Sequence, residues 1–133
     1  MSALEKNEQL VVDFFNTLST GDLEKVRPLL HKDASWLPMV SGIPGEGIKK
    51  GRDVIIDDFL GPVRGMFEPG DPKVHIDNIL SKGDTVVCET RGTGKMKNGK
   101  DYNNVYCWVI ELKDGLIYAI REYMDSYHVS TLV

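Results

Sequence analysis

Helical spacing of apolar residues through the first half of the chain, followed by strand alternation punctuated by Gly turns from Lys73 onward, predicts an α+β domain. Helices that come first, with a meander of strands after them, place a bent, mostly antiparallel sheet over the N-terminal helices. A length of 133 residues with 41% hydrophobic and 27% charged residues suits one globular domain spanning 1–133, able to build a core without disulfides or a structural metal.

Leu4, Leu10, Val11, Phe14, Phe15 and Leu18 share one side of a helix over residues 3–19, and Ser2 with Glu5 reads as a capping box at its start. Gly21-Asp22 interrupts it, and Leu23, Val26, Leu29 and Leu30 then repeat at helical spacing behind Asp22 as N-cap. Pro28 removes a backbone donor, so this second helix tightens or stops near His31. Residues 34–39 form a short apolar strand, and residues 40–51, with Gly42, Pro44, Gly45, Gly47 and Gly51, form a loop placed to cover a pocket mouth. A third helix runs over 52–60 and ends weakly at Gly61-Pro62, with residues 62–67 able to add a further turn. Four successive antiparallel strands follow, over 74–80, 85–94, 102–112 and 116–125, joined at Lys82-Gly83-Asp84, Asn98-Gly99 and Lys113-Asp114-Gly115.

Reading Asn98 and Gly99 as the two central residues of a hairpin places Glu89 opposite Trp108 and Arg91 opposite Tyr106. Val87, Glu89, Arg91 and Thr93 then share a face with Asn104, Tyr106, Trp108 and Ile110, and alternation adds Tyr118, Ile120, Glu122 and Met124. On the helix-facing side, Glu89, Arg91 and Glu122 would be tolerated only as a hydrogen-bonded group, in which one carboxyl keeps its proton as an acid while the other serves as base. The alternative is a solvated sheet surface or a structural ion pair. The opposite face, with Val105, Cys107, Val109, Ala119 and Tyr123, is apolar enough to predict a homodimer through the sheet.

Other chemistries find little support. A net charge of −4 with no Lys/Arg concentration argues against nucleic acid. No segment has the length and apolarity of a membrane span, and the N-terminal residues do not read as a secretory signal, so the expected location is the cytoplasm. Cys88 and Cys107 read as buried thiols. His31 reads as a cation near a helix C-terminus, His75 as outward-facing, and His128 with Asp125 as a weak pair; no metal set and no cofactor motif is present.

The stretches Val11-x-x-Phe14-x-x-x-Leu18-x-x-x-Asp22 and Asp33 before Trp36 resemble the nuclear transport factor 2-like superfamily, and Gly51-Arg52-Asp53-Val54, Gly99-Lys100-x-Tyr102-Asn103, Gly115-x-Ile117 and Arg121-Glu122-Tyr123-x-Asp125 resemble limonene-1,2-epoxide hydrolases. The resemblance covers nearly the whole chain and implies a cone of curved sheet around helices (cystatin-like) with an apolar cavity. It implies a small apolar ligand and puts Glu122 at the position of the Asp that activates water. For the family's Arg and second Asp, one register offers Arg91 and Thr93, the other Glu89 and Arg91 in reversed positions. Trp36 and Pro38 stand where those hydrolases carry a Tyr and an Asn, and the oxyanion set of the related ketosteroid isomerases is not matched, Phe14 standing near the position of their Tyr. The similarity to SnoaL-type polyketide cyclases is of the same general grade. The candidate site is therefore Glu122, Arg91 and Glu89 for acid–base chemistry, with Trp36, Phe14, Tyr106, Trp108, Met124 and Asn104 lining the ligand. The reading that competes with an epoxide-hydrolase-like enzyme is a non-catalytic binding cone, or a protein related to the isomerases and cyclases.

Overall fold

The computed structural model describes residues 4–133. Helix α1 (Lys6–Ser19) buries Val11, Phe14, Phe15 and Leu18 on one side, the stripe its periodicity requires. Its N-cap is Glu5, without a side-chain cap bond; Ser2, the other half of the expected capping pair, lies outside the described residues. After Gly21, whose φ of 81° suits a residue without a Cβ, helix α2 (Leu23–Val26) tightens into a 3-10 turn over Arg27–Leu29 where Pro28 withholds its donor. Arg27 bridges this turn to the next helix, bonding Glu24, Asp53 and Asp57 at 2.7–3.0 Å.

Strand β1 (Leu30–Pro38) begins earlier than its apolar run suggests, because Leu30 and the alternating Ala34, Trp36 and Pro38 all point to the core. Residues 39–48 form the expected loop, closed by a two-residue strand, β2 (Lys49–Lys50), on the edge of β1. The third helix is wound as a π-helix over Val54–Leu60 and passes without a break into helix α3 (Gly61–Arg64). Gly61-Pro62 therefore changes the winding rather than ending the helix, and Pro62, at the first turn of α3, has no N–H to leave unpaired.

Strands β3 (Lys73–Lys82), β4 (Thr85–Lys95), β5 (Asp101–Lys113) and β6 (Leu116–Met124) complete a six-stranded curved sheet ordered β2-β1-β6-β5-β4-β3, in which only the β1–β6 pair is parallel. Helix α4 (Ser126–Leu132), which the strand pattern did not announce, follows at once. Asp125 caps it by accepting a bond from the His128 backbone N–H at 3.1 Å, which accounts for the Asp125/His128 spacing.

Two register details differ from the sequence reading and decide what the cavity contains. At the β4–β5 hairpin, Met96 N–H donates to Lys100 C=O and Gly99 N–H to Met96 C=O, both at 2.9 Å, so the loop has three residues, Lys97, Asn98 and Gly99, with Gly99 at φ 88°. This is a type I turn followed by a left-handed glycine, the usual three-residue hairpin, steadied by the Asn98 side chain accepting from Lys100 N–H at 3.0 Å. The extra loop residue slides β4 by one position, so Cys88 faces Trp108 and Glu89 faces Cys107. At the β5–β6 turn, Asp114 and Gly115 adopt φ of 56° and 73°, and a register shift between Glu111 and Leu112 leaves Tyr118 without a partner. Ile117, not Tyr118, takes the buried place, and Ile120 and Glu122 keep theirs.

Candidate functional site

The inner face of the sheet, α1, the π-helix and α4 enclose a cavity of about 520 Å³ whose lining is mainly apolar. β5 supplies Tyr102, Tyr106 and Trp108; β6 supplies Glu122 and Met124; β1 supplies Trp36 and Pro38. The π-helix adds Asp58, Phe59 and Leu60, and α4 adds Val129 and Leu132, so the unannounced helix forms part of the wall. A volume of this size falls within the range of small-molecule sites.

Glu122 is the charged residue of the core, 9% exposed. Its Oε1 accepts a bond from Trp36 Nε1 at 2.8 Å. Burial pushes its carboxyl up to about 7, while the Trp36 N–H and the Lys49 charge act in the opposite direction. A carboxyl with that value is poised to take up or release a proton near neutrality. Lys49, also on the cavity wall, has its ammonium held by the carbonyls of Gly45, Glu46 (3.1 Å) and Gly47 (2.7 Å) and lies 4.8 Å over the Phe59 ring. Burial lowers its pKa, opposed by the charges of Glu122 and Glu46. The ammonium is thus spent on pinning the 39–48 loop, of which Val40, Pro44, Gly45 and Glu46 border the cavity, as the loop's composition led one to expect.

The aromatic residues form one connected cluster. Trp36 meets Trp108 edge-on at 5.7 Å and Phe59 at 5.6 Å, and Tyr106 stacks on Trp108 at 5.1 Å. Trp108 Nε1 donates to Thr90 Oγ1 at 2.8 Å, satisfying the buried indole from the neighbouring strand. Tyr102 and Tyr106 hydroxyls bond each other, and Asn104 Nδ2 donates to Tyr102 at 3.2 Å. Burial raises both phenols, and the Glu122 charge pushes in the same direction.

Of the nine residues read from the sequence as the site, five line the cavity: Glu122, Trp36, Tyr106, Trp108 and Met124. Asn104 is 1% exposed and sits behind Tyr102 as its donor. Phe14 is fully buried between Phe15 and Trp36 as core and does not reach the lining. Glu89 and Arg91 are on the outer face, because the three-residue turn reverses the alternation of β4. Arg91 pairs with Asp77 at 2.9 Å and Glu89 accepts from Asn78 at 3.3 Å, both exposed. The inward positions of β4 are Val86, Cys88, Thr90 and Gly92. Tyr102 and Lys49 are two wall residues absent from those nine; parity with Tyr106 signals the first, and nothing local signals the second.

The histidines lie elsewhere. His31 belongs to β1 rather than to a helix end, its Nδ1 accepting from Asp33 N–H at 3.0 Å and its ring edge-on to Tyr118. His75 bonds Thr93 on the outer face, as its parity implied, and His128 Nε2 accepts from Asn103 N–H at 3.1 Å. Among the described residues no group of His, Cys, Asp and Glu is arranged to hold a metal ion, and no helix is long and apolar enough to cross a membrane. Cys88 is buried and its thiol is pushed up to about 12 by that burial, whereas Cys107 is only half-buried on the outer face.

Residues 11–120 match the SnoaL-like domain family, and the chain belongs to it. No curated protein matches the sequence. Among solved structures, Bal32a from a soil-derived mobile gene cassette is 26% identical, with a TM-score of 0.83 and 95% of each chain covered. An NTF2-like protein of unknown function from Burkholderia pseudomallei is 20% identical, with a TM-score of 0.85 over 98% of each chain. An LEH-like epoxide hydrolase from M. tuberculosis is 22% identical, with a TM-score of 0.77 over 95% of this chain and 87% of that one. The cone architecture is thus the NTF2-like fold; fold alone does not carry an activity across such identities.

Proposed function

We propose that the protein takes a small, largely apolar molecule into the cone and that Glu122 moves a proton on it without a bound cofactor. One observation carries this reading: a carboxyl hydrogen-bonded to Trp36, buried on the wall of an otherwise mainly apolar cavity and raised to about 7. A single carboxylate is costly to bury for structural ends, and in this cavity its ionised form is available to remove a proton that its acid form can return. Glu89 and Arg91, being on the outer face, have no part in this chemistry.

Hydrolysis of a small epoxide is the second reading, favoured by the place of Glu122 in β6, where the resemblance to limonene-1,2-epoxide hydrolases puts the water-activating carboxylate. In that version Glu122 takes a proton from water, the water oxygen bonds to a ring carbon, the C–O bond opens, and the alkoxide takes up the proton that Glu122 then holds, which restores the carboxylate. Both readings are tested by offering the purified protein cyclic epoxides, including limonene oxide, and β,γ-unsaturated ketones, alongside Glu122→Gln. Turnover of either set that is abolished in the variant supports acid–base work by Glu122, and the set turned over names the reaction. Equal turnover in both proteins contradicts it, and saturable binding of the same compounds without turnover leaves a binding cone.

A further inference from the structure

Tyr102 and Tyr106 both line the cavity, on alternate inward positions of β5. Each phenol brings one hydrogen. One of the two is used in the bond between them, and Tyr102 also accepts from Asn104 Nδ2. Whichever tyrosine donates in the mutual bond, the other retains an O–H that makes no bond to an acceptor among the described residues. Asn104 meets Tyr102 with its Nδ2, a donor, while its Oδ1 is bonded to the Val105 N–H at 2.9 Å. The pair is also seated by design of the neighbouring strand: a Cβ at Gly92 would come within 3.1 Å of the Tyr106 ring and 3.3 Å of the Tyr102 ring, so the absence of a side chain there makes their place.

We propose that this phenol pair is an oxygen-binding subsite, and that the molecule held in the cone is apolar except for a neutral oxygen acceptor, a ketone carbonyl or an ether-type ring oxygen, which receives the spare phenolic hydrogen. The inference rests on the cavity reading above and narrows its substrate class. A hydrocarbon would leave the hydrogen unmet, and an anionic head would meet the buried Glu122 carboxylate on the same wall. The phenols remain neutral donors well above neutral pH, because burial and Glu122 both oppose their ionisation.

The test compares 2-acetylnaphthalene with 2-ethylnaphthalene, near-isosteric probes that differ in the oxygen, on the wild type and on Tyr102→Phe/Tyr106→Phe. Both hydroxyls are removed together because either one alone would keep a hydrogen to donate. The ketone-to-hydrocarbon affinity ratio is expected to fall about tenfold in the double variant, the size of one buried hydrogen bond, while the hydrocarbon's affinity changes less than about twofold. A second readout uses only the wild type: at pH 9, where Glu122 is ionised and cannot donate, the carbonyl stretch of the bound ketone is expected below its position in an alkane solvent. An unchanged ratio in the double variant, or an unshifted carbonyl in the wild type, overturns the oxygen subsite and leaves the apolar cavity standing. Failure of both probes to bind the wild type overturns the cavity reading and this inference with it.

Discussion

Replacing Glu122 by Gln gives a stability change whose sign and pH dependence follow from the burial of one carboxyl. Glutamine keeps an oxygen for the Trp36 N–H and nearly the same shape, so the variant removes the charge and little else. In the folded protein the carboxyl is raised from its ordinary 4.5 to about 7. The folded state therefore binds this proton more tightly than the unfolded chain does. Below pH 4.5 both states hold it and the group does not oppose folding. As pH rises from there through about 7, the unfolded chain releases the proton first and stability is lost. At about 1.4 kcal/mol per pH unit, the full loss is about 3 kcal/mol once the pH is well above 7. Urea unfolding of both proteins from pH 4 to 9 is expected to show near-equal stabilities at pH 4 and a variant more stable by about 3 kcal/mol at pH 9, with unchanged slopes against urea. A difference between the two proteins that does not vary with pH would refute the reasoning, since only a titrating group in the wild type can produce the trend.

Arg91→Ala and Glu89→Ala are expected to leave ligand affinity and the Glu122 titration untouched and to change stability by less than about 1 kcal/mol, because both side chains are solvated on the outer face; loss of binding in either, measured by the same probe titration, would restore them to the site. Thr90→Val is expected to cost about 1–3 kcal/mol in urea unfolding, since it strands the buried Trp108 N–H; a neutral result would mean the indole finds another acceptor. The outer face carries exposed Val105 (54%) and Tyr123 (42%) beside Cys107, Val109 and Ala119. Light scattering at micromolar concentration is expected to give a homodimer that Val105→Lys weakens, and a monomeric wild type would contradict pairing through this face.

Much of this fold is written in local pattern. The α1 stripe, the Pro28 tightening, the four long strands and the inward parity of Asn104, Tyr106, Trp108 and Glu122 all follow from spacing and turn residues. The parity of β4 did not, because Asn-Gly supports a two-residue loop and a three-residue loop equally well, and the choice rests on whether Lys97 joins the turn. In the structure Lys97 N–H donates to the Met66 C=O at 2.9 Å, a bond to a distant segment that no local rule contains. One residue of slip was enough to exchange Glu89 and Arg91 for Cys88, Thr90 and Gly92. Lys49 was illegible for a related reason: its ammonium enters the site only because β2 pairs with β1 and the 39–48 loop folds back on it. Helix α4, seven residues directly behind a strand, lacks enough length for its own periodicity to show.

Direct titration of the Glu122 side chain is the sharpest measurement of whether it handles a proton near neutrality inside the cavity. With glutamate side-chain carboxyls labelled with carbon-13, the wild type is expected to show one resonance titrating near 7 that is absent in Glu122→Gln and that moves when an apolar ketone occupies the cone. A spectrum in which every glutamate titrates at ordinary carboxylate values would contradict the claim and remove Glu122 as an acid–base group.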